Sequence, residues 1–140
     1  MSALMKMFRF SQACHKRKLT LLAGFISRLI RVLFSCDIPP TTTIGEGTIF
    51  AHNGLGCVVN ECAIIGKNCK ILQNVTIGGR GEGSGTPIFG DNVLIGAGAC
   101  ILGGVKIGNY AKIGANAVVV NDVPENATVV GIPAKQIIIS

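Results

Sequence analysis

From Phe89 onward an aliphatic or aromatic side chain returns every six residues, at Phe89, Ile95, Ile101, Ile107, Ile113 and Val119, with glycine next in line at 90, 96, 108 and 114. Upstream, Ile65, Ile71 and Ile77 keep the same register. Four residues after these positions comes a second, smaller apolar side chain: Cys69, Val75, Val93, Ala99, Val105, Ala111 and Ala117. An amphipathic helix repeats near 3.6 residues and a half-buried strand every two, so neither produces a strict six. Hexapeptides of this kind build a parallel β-solenoid in which three repeats make a coil and the short strands of successive coils stack about 4.8 Å apart. The paired inward residues would form columns filling a triangular interior, and the glycine is expected to spare the turn an unfavourable backbone conformation. Residues 37–131 allow roughly five coils.

The repeat breaks twice. From Ile44 to Phe50 the step is six, but from Phe50 to Val59 it is nine, so extra residues must leave the wall near His52-Asn53-Gly54. Backbone on such a bulge is not committed to the core, and function gathers at such places on rigid scaffolds. On spacing alone His52 reads equally well as a functional group or as a polar turn residue. The second break is "GGRGEGSGTP", residues 78–87, where 12 residues separate Ile77 from Phe89 with no inward apolar pair between them. It is expected to project as a flexible arm, either covering a site or forming a tolerated surface insertion.

Residues 19–34, "LTLLAGFISRLIRVLF", follow Lys16, Arg17 and Lys18 and set Arg28 and Arg31 on one side of a mostly apolar stretch, the pattern of an amphipathic helix. The chain therefore divides into a basic helical segment, 1–36, and a solenoid domain, 37–140. Charge follows the same division: residues 1–36 hold seven Lys/Arg and no acid, leaving six bases against seven acids in the rest. Such a segment suits an anionic membrane surface or an acidic partner; nucleic acid is not expected, because the body has no basic stripe with interleaved aromatics. Arg28 and Arg31 interrupt the apolar stretch and Phe34 is bulky where a cleavage site needs a small residue, so a secretory signal is not expected. The six cysteines have no paired metal-ligand spacing and read as small buried hydrophobes in a reducing cytoplasm; no metal is expected.

The solenoid's hand does not follow from its repeat. "IGAGACILGGVKIGNYAKIGANAVVVNDVPENATVVGIPAKQI" resembles the left-handed parallel β-helix of hexapeptide-repeat acyltransferases, including the closing turn "GIPAK". "CDIPPTTTIGEGTIFAHNGLGCVVNECAIIGKNCKILQNVTIGG" is similar to the serine acetyltransferases and their short relatives in polysaccharide gene clusters. The resemblance implies an all-β solenoid with a short N-terminal helical segment, assembled as a homotrimer, that transfers acetyl from acetyl-CoA to a hydroxyl. It makes His52 the general base, a role suited to an imidazole with a pKa of about 6.5. It makes Asp37, in "DIPP", the carboxylate that orients the ring. Fifteen residues separate the two, one coil less three, which is compatible with proximity; Asp37 alternatively marks the turn into the solenoid. The resemblance further implies CoA contacts at the turn backbones of Ala97 and Ala115, a phosphate contact at Lys135, and an oxyanion donor at Gly78 or Gly79.

The chain departs from the family pattern around the acceptor. Ala51 stands where an aspartate precedes the histidine, Thr86 precedes Pro87 where the family has Arg-His, and Arg80 lies at the other end of that loop. Those groups hold the charged ends of serine, so their loss points to a sugar or glycan hydroxyl as acceptor. Serine itself, or a non-catalytic trimeric scaffold, are the alternatives. The expected location is the cytoplasm, with residues 16–34 either lying on the inner membrane or packing on the protein.

Overall fold

A computed structural model describes residues 1–139. Its body is a left-handed parallel β-helix whose three faces are sheets of two- and three-residue strands, numbered here in chain order. One sheet stacks β1 (Thr43–Ile44), β4 (Ile64–Ile65), β7 (Ile88–Phe89) and β10 (Lys106–Ile107). The second stacks β2 (Ile49–Phe50), β5 (Lys70–Ile71), β8 (Leu94–Ile95), β11 (Lys112–Ile113) and β13 (Thr128–Val130), and is closed by β14 (Lys135–Ile137), which folds back antiparallel on β13. The third stacks β3 (Val58–Val59), β6 (Thr76–Gly78), β9 (Cys100–Leu102) and β12 (Val118–Val119). Two sheets hold four strands each, so the winding makes about four full coils rather than five. The fifth turn survives only as single bridges, Asp37 to Val58 at one end and Ile107 to Val123 at the other.

The residues of the six-residue columns, and their partners four positions on, are buried together as one core. Each fully buried Ile contributes on the order of 1.5–3 kcal/mol, so the columns dominate the stability of the solenoid.

The glycines of the repeat serve a different purpose from the one expected. A Cβ on Gly66 would lie 2.2 Å from the Gly90 carbonyl oxygen, and one on Gly96 would lie 2.5 Å from the Ala115 nitrogen. Neither glycine has a positive φ. They are glycine because successive coils press together at the corners. The left-handed conformation falls two residues later, on Asn68, Asn92 and Asn116 with φ between 54° and 59°, where asparagine tolerates it well.

The helical segment is longer than the apolar pattern revealed. Helix α1 (Ala3–Lys16) starts on Ser2, whose hydroxyl accepts from the Met5 amide at 3.3 Å. Helix α2 (Thr20–Phe34) ends where Ser35 turns left-handed at φ 52°. Leu4, Met5 and Phe8 of α1 and Ala23, Ile26 and Ile30 of α2 belong to the same buried core. The Arg9 guanidinium donates to the carbonyls of Ile44 (2.8 Å) and Gly45 (3.1 Å), and the Gln12 amide donates to Thr42 O (3.0 Å), so α1 docks on the first coil. The opposite side of α2 exposes Leu21, Phe25, Leu29, Val32 and Leu33. Among the described residues no helix is long and apolar enough to cross a membrane.

Candidate active site

The nine-residue step becomes a single 3₁₀ turn, Ala51–Gly54, at the corner between the second and third sheets. His52 and Asn53 both take left-handed backbone, φ 54° and 53°, and both face solvent. Asparagine tolerates that region well, so the cost falls mainly on His52, at about 1 kcal/mol. Strain of this kind persists only where its surroundings hold it. Here the holder is α1: Gly54 is buried, and a Cβ on it would lie 2.9 Å from Leu4 Cδ2 and 3.4 Å from Cys36 Sγ. The bulge is thus pinned from behind while its histidine points out.

Asp37 runs beside the strand that follows the bulge. Its amide donates to Cys57 O at 2.9 Å, and its carbonyl accepts from the Val59 amide at 2.9 Å. Cys36, the preceding residue, lies beside Gly54, its Sγ 3.4 Å from where a Cβ on that glycine would stand, so Asp37 adjoins the bulge that carries His52. Their side chains form no hydrogen bond with each other; Asp37 Oδ2 instead meets the Arg31 guanidinium, the one ion pair among the described residues. Burial pushes the Cys36 thiol up to about 11, with the neighbouring Cys57 and Asp37 adding to it. Burial likewise raises Cys57 and Cys69. Cys14, Cys36, Cys57 and Cys69 are buried as expected, whereas Cys62 is exposed.

The bulge heads a straight edge. Down this corner the Asn74 amide donates to Leu55 O (2.9 Å), Gly98 to Gln73 O (3.0 Å) and Asn116 to Ala97 O (2.8 Å). Leu55, Gln73, Ala97 and Ala115 are therefore equivalent rungs. At about 4.8 Å per rung, Ala97 lies about 10 Å and Ala115 about 14 Å below the level of the bulge. Lys135, in β14 at the end of the second sheet, stands five strands from β2, about 24 Å on the same spacing.

Gly79 is elsewhere. It follows β6 at the corner between the third and first sheets, so within one chain the width of a whole face separates it from His52. The 78–87 loop that begins there does not hang free. Ser84 Oγ accepts from the Arg80 amide (2.7 Å) and donates to Gly81 O (2.9 Å), while Ser84 O accepts from the Gly104 amide (2.7 Å). Its base borders an open hollow of about 820 Å³ lined by Arg80, Gly103 and Asp122. Thr86 donates its hydroxyl to Cys62 O at 3.2 Å.

Sequence reasoning missed two contributors. Arg31 was read only as a charge on a helix; the signal was its position six residues before Asp37, across the end of α2. Leu4 carried no signal, because α1 lacks a clean apolar period.

The ladder is built on six-residue repeats, and residues 86–121 match the family model for bacterial transferase hexapeptide (six repeats). The chain is 41% identical over 132 residues to a serine acetyltransferase of Helicobacter pylori, covering 93% of this chain and 77% of that one. It is 49% identical over 116 residues to the Haemophilus influenzae serine acetyltransferase, covering 81% and 43%. For the Synechococcus elongatus enzyme the identity is 42%, covering 92% and 53%. A solved serine acetyltransferase in complex with CoA superposes with a TM-score of 0.88 at 41% identity, covering 96% of this chain and 55% of that one. The Neisseria gonorrhoeae enzyme in complex with serine gives 0.89 at 40%, covering 96% and 55%. The chain belongs to the serine acetyltransferase family. It spans about half the length of several of the curated relatives it matches.

Proposed function

We propose that the protein is an acetyl-CoA-dependent O-acetyltransferase with L-serine as acceptor. The observation that carries the reading is His52, held on a strained, pinned bulge at the head of the edge formed by Ala97 and Ala115. Neutral His52 takes the proton from the acceptor hydroxyl as its oxygen attacks the thioester carbonyl carbon. The new C–O bond forms, the C–S bond breaks, and the proton passes from His52 to the departing thiolate. Asp37 fixes the imidazole's tautomer and steadies its transient charge. The donor lies along the edge, its pantetheine arm against the small turns at Ala97 and Ala115 and its phosphates toward Lys135. No metal enters this scheme.

Gly79 as oxyanion donor requires a second copy, because His52 and Gly79 stand at different corners of one chain. A trimer supplies it, and the exposed, directly paired Ile64 and Ile88 offer an apolar strip for the contact. The helical segment 1–36 and the domain 37–140 are proposed as the two functional parts.

The acceptor reading departs from the one drawn from Ala51 and Thr86. A sugar or glycan hydroxyl is less well backed than serine, since the relatives at 40–49% identity bear the serine acetyltransferase name. The glycan reading keeps one observation in its favour: Thr86, where the family has a histidine, is tied to the Cys62 carbonyl. A thiol-release assay with acetyl-CoA against L-serine and a panel of sugars separates them. L-Serine turnover that falls about 10²–10⁴-fold in His52→Ala supports the proposal; turnover of a sugar alone, or an unchanged rate in His52→Ala, rejects it.

A further inference from the structure

The dyad carboxylate has a partner that the chemistry above does not use. Arg31 leaves the last turn of α2 and meets Asp37 Oδ2. The two residues also form the wall shared by two adjoining hollows. One, of about 430 Å³, is lined by Arg31, Ser35, Cys36, Asp37, Gly56 and Val58; the other, of about 220 Å³, is bounded by Gly24, Ser27 and Arg28 with the same pair. The larger hollow abuts the segment that follows the His52 bulge, since the Gly56 amide donates to Ser35 O at 2.8 Å. Arg31 is the one cation among its lining residues.

A small amino-acid acceptor brings a carboxylate close to the hydroxyl that reacts, and a carboxylate beside Asp37 needs a cation between them. Lys135 stands at the far end of the edge, Arg80 can approach only with Gly79 from a second copy, and Arg28 lines only the smaller hollow, which leaves Arg31 as the chain's own cation in the hollow next to the bulge. We infer that Arg31 receives the acceptor's α-carboxylate: in the free chain it holds Asp37, and on binding it turns to the incoming carboxylate and releases Asp37 to His52. Its side chain is 65% exposed and that of Asp37 39%. An ion pair so exposed is worth about 0–1 kcal/mol, so exchanging one carboxylate for another costs little. A guanidinium suits the task because its fork matches both carboxylate oxygens. The inference rests on serine being the acceptor, and it assigns to α2 the carboxylate recognition that Thr86 does not provide.

The test compares L-serine with L-serinamide, which keeps the hydroxyl and amine and lacks the carboxylate, in wild type, Arg31→Met and Arg31→Lys. Arg31→Met is expected to raise KM for L-serine on the order of 10- to 100-fold with kcat within a few-fold. Turnover of L-serinamide should hold or rise, because loss of the guanidinium frees Asp37 for His52 without a carboxylate to draw it away, and Arg31→Lys should recover part of the loss on L-serine. Equal losses on both acceptors would make Arg31 merely a support for Asp37, and no loss on either would remove it from the site; both overturn the inference. Ligand-observed NMR of L-serine binding separates this from the parent reading. Wild type that binds serine through Arg31 without acetylating it refutes the enzyme assignment alone, whereas wild type that binds no serine refutes both.

Discussion

Gly54→Ala tests whether α1 holds the histidine in place. The new Cβ would stand 2.9 Å from Leu4 Cδ2, on a backbone at φ +72°. The left-handed conformation costs a residue with a Cβ about 1 kcal/mol relative to glycine. Leu4 is fully buried and Cys36 Sγ would stand 3.4 Å from the same methyl, so it cannot be absorbed freely; overpacking of this kind costs about 1–3 kcal/mol. The total is about 2–4 kcal/mol, at roughly 4 °C per kcal/mol for a chain of this size, so the melting temperature followed by circular dichroism should fall by about 8–16 °C. A double-mutant cycle isolates the contact. In a Leu4→Ala background the collision vanishes, and Gly54→Ala should then cost only the backbone share, about 1 kcal/mol. Acetyl transfer measured well below the melting range should fall in Gly54→Ala, because His52 rides two residues ahead on the same turn. An unchanged melting temperature, or equal costs in the two backgrounds, would show that Leu4 does not pin the bulge.

Two further outcomes follow from the packing and the charge. The Cys36 thiol ionises near 9.0 in the unfolded chain and near 11 in the folded one. The folded state therefore keeps its proton longer, and the stability this group contributes is complete below pH 9 and is lost as pH rises toward 11. At 1.36 kcal/mol per unit the loss reaches about 2–3 kcal/mol. Urea midpoints between pH 8 and 10.5 should decline more steeply in wild type than in Cys36→Ala, and parallel declines would remove the effect. The exposed apolar side of α2, with Lys16, Arg17, Lys18 and Arg28 beside it and no acid in residues 1–36, is the proposed contact with an anionic bilayer, each base adding about 1 kcal/mol. Flotation with phosphatidylserine vesicles should recover the full chain and not one lacking residues 1–35; equal recovery sinks the membrane contact.

The solenoid was legible because its period is a property of side chains alone: each Ile or Val column occupies the register at which it is buried. The number of coils was overstated because dividing residues 37–131 by the repeat counts both ends as full turns, whereas Asp37 and Val123 make only single bridges there. The glycines were placed correctly and explained wrongly. Sequence shows that a residue lacks a Cβ, but not whether the backbone turns there or a neighbouring coil approaches, and at Gly66 and Gly96 it is the approach. The 78–87 arm was located by the missing apolar pair, yet its return onto Gly104 rests on main-chain hydrogen bonds, which leave no trace in residue type. His52 was visible as an irregularity; its support was not, because Leu4 lies almost fifty residues away in a helix whose apolar face is broken by Ser11 and Gln12.

A coil that repeats every six residues offers a ligand the same turn backbone at each rung, which suits a long, uniform arm laid along the edge and cannot distinguish one small acceptor from another. Discrimination needs side chains that do not repeat, and near His52 those come from outside the ladder: Arg31 from the end of α2, Cys36 and Asp37 from the segment that joins helix to solenoid, and Leu4 from beneath. Substitutions in the repeat should therefore alter donor affinity and stability together, while substitutions in residues 31–37 should alter the choice of acceptor with the donor edge intact. This division explains how Ala51 and Thr86 could depart from the family pattern without loss of the fold, since neither contributes to the inward columns. On this proposal the helical segment would take part in acceptor choice, and exchange of residues 31–37 is the change that should show it.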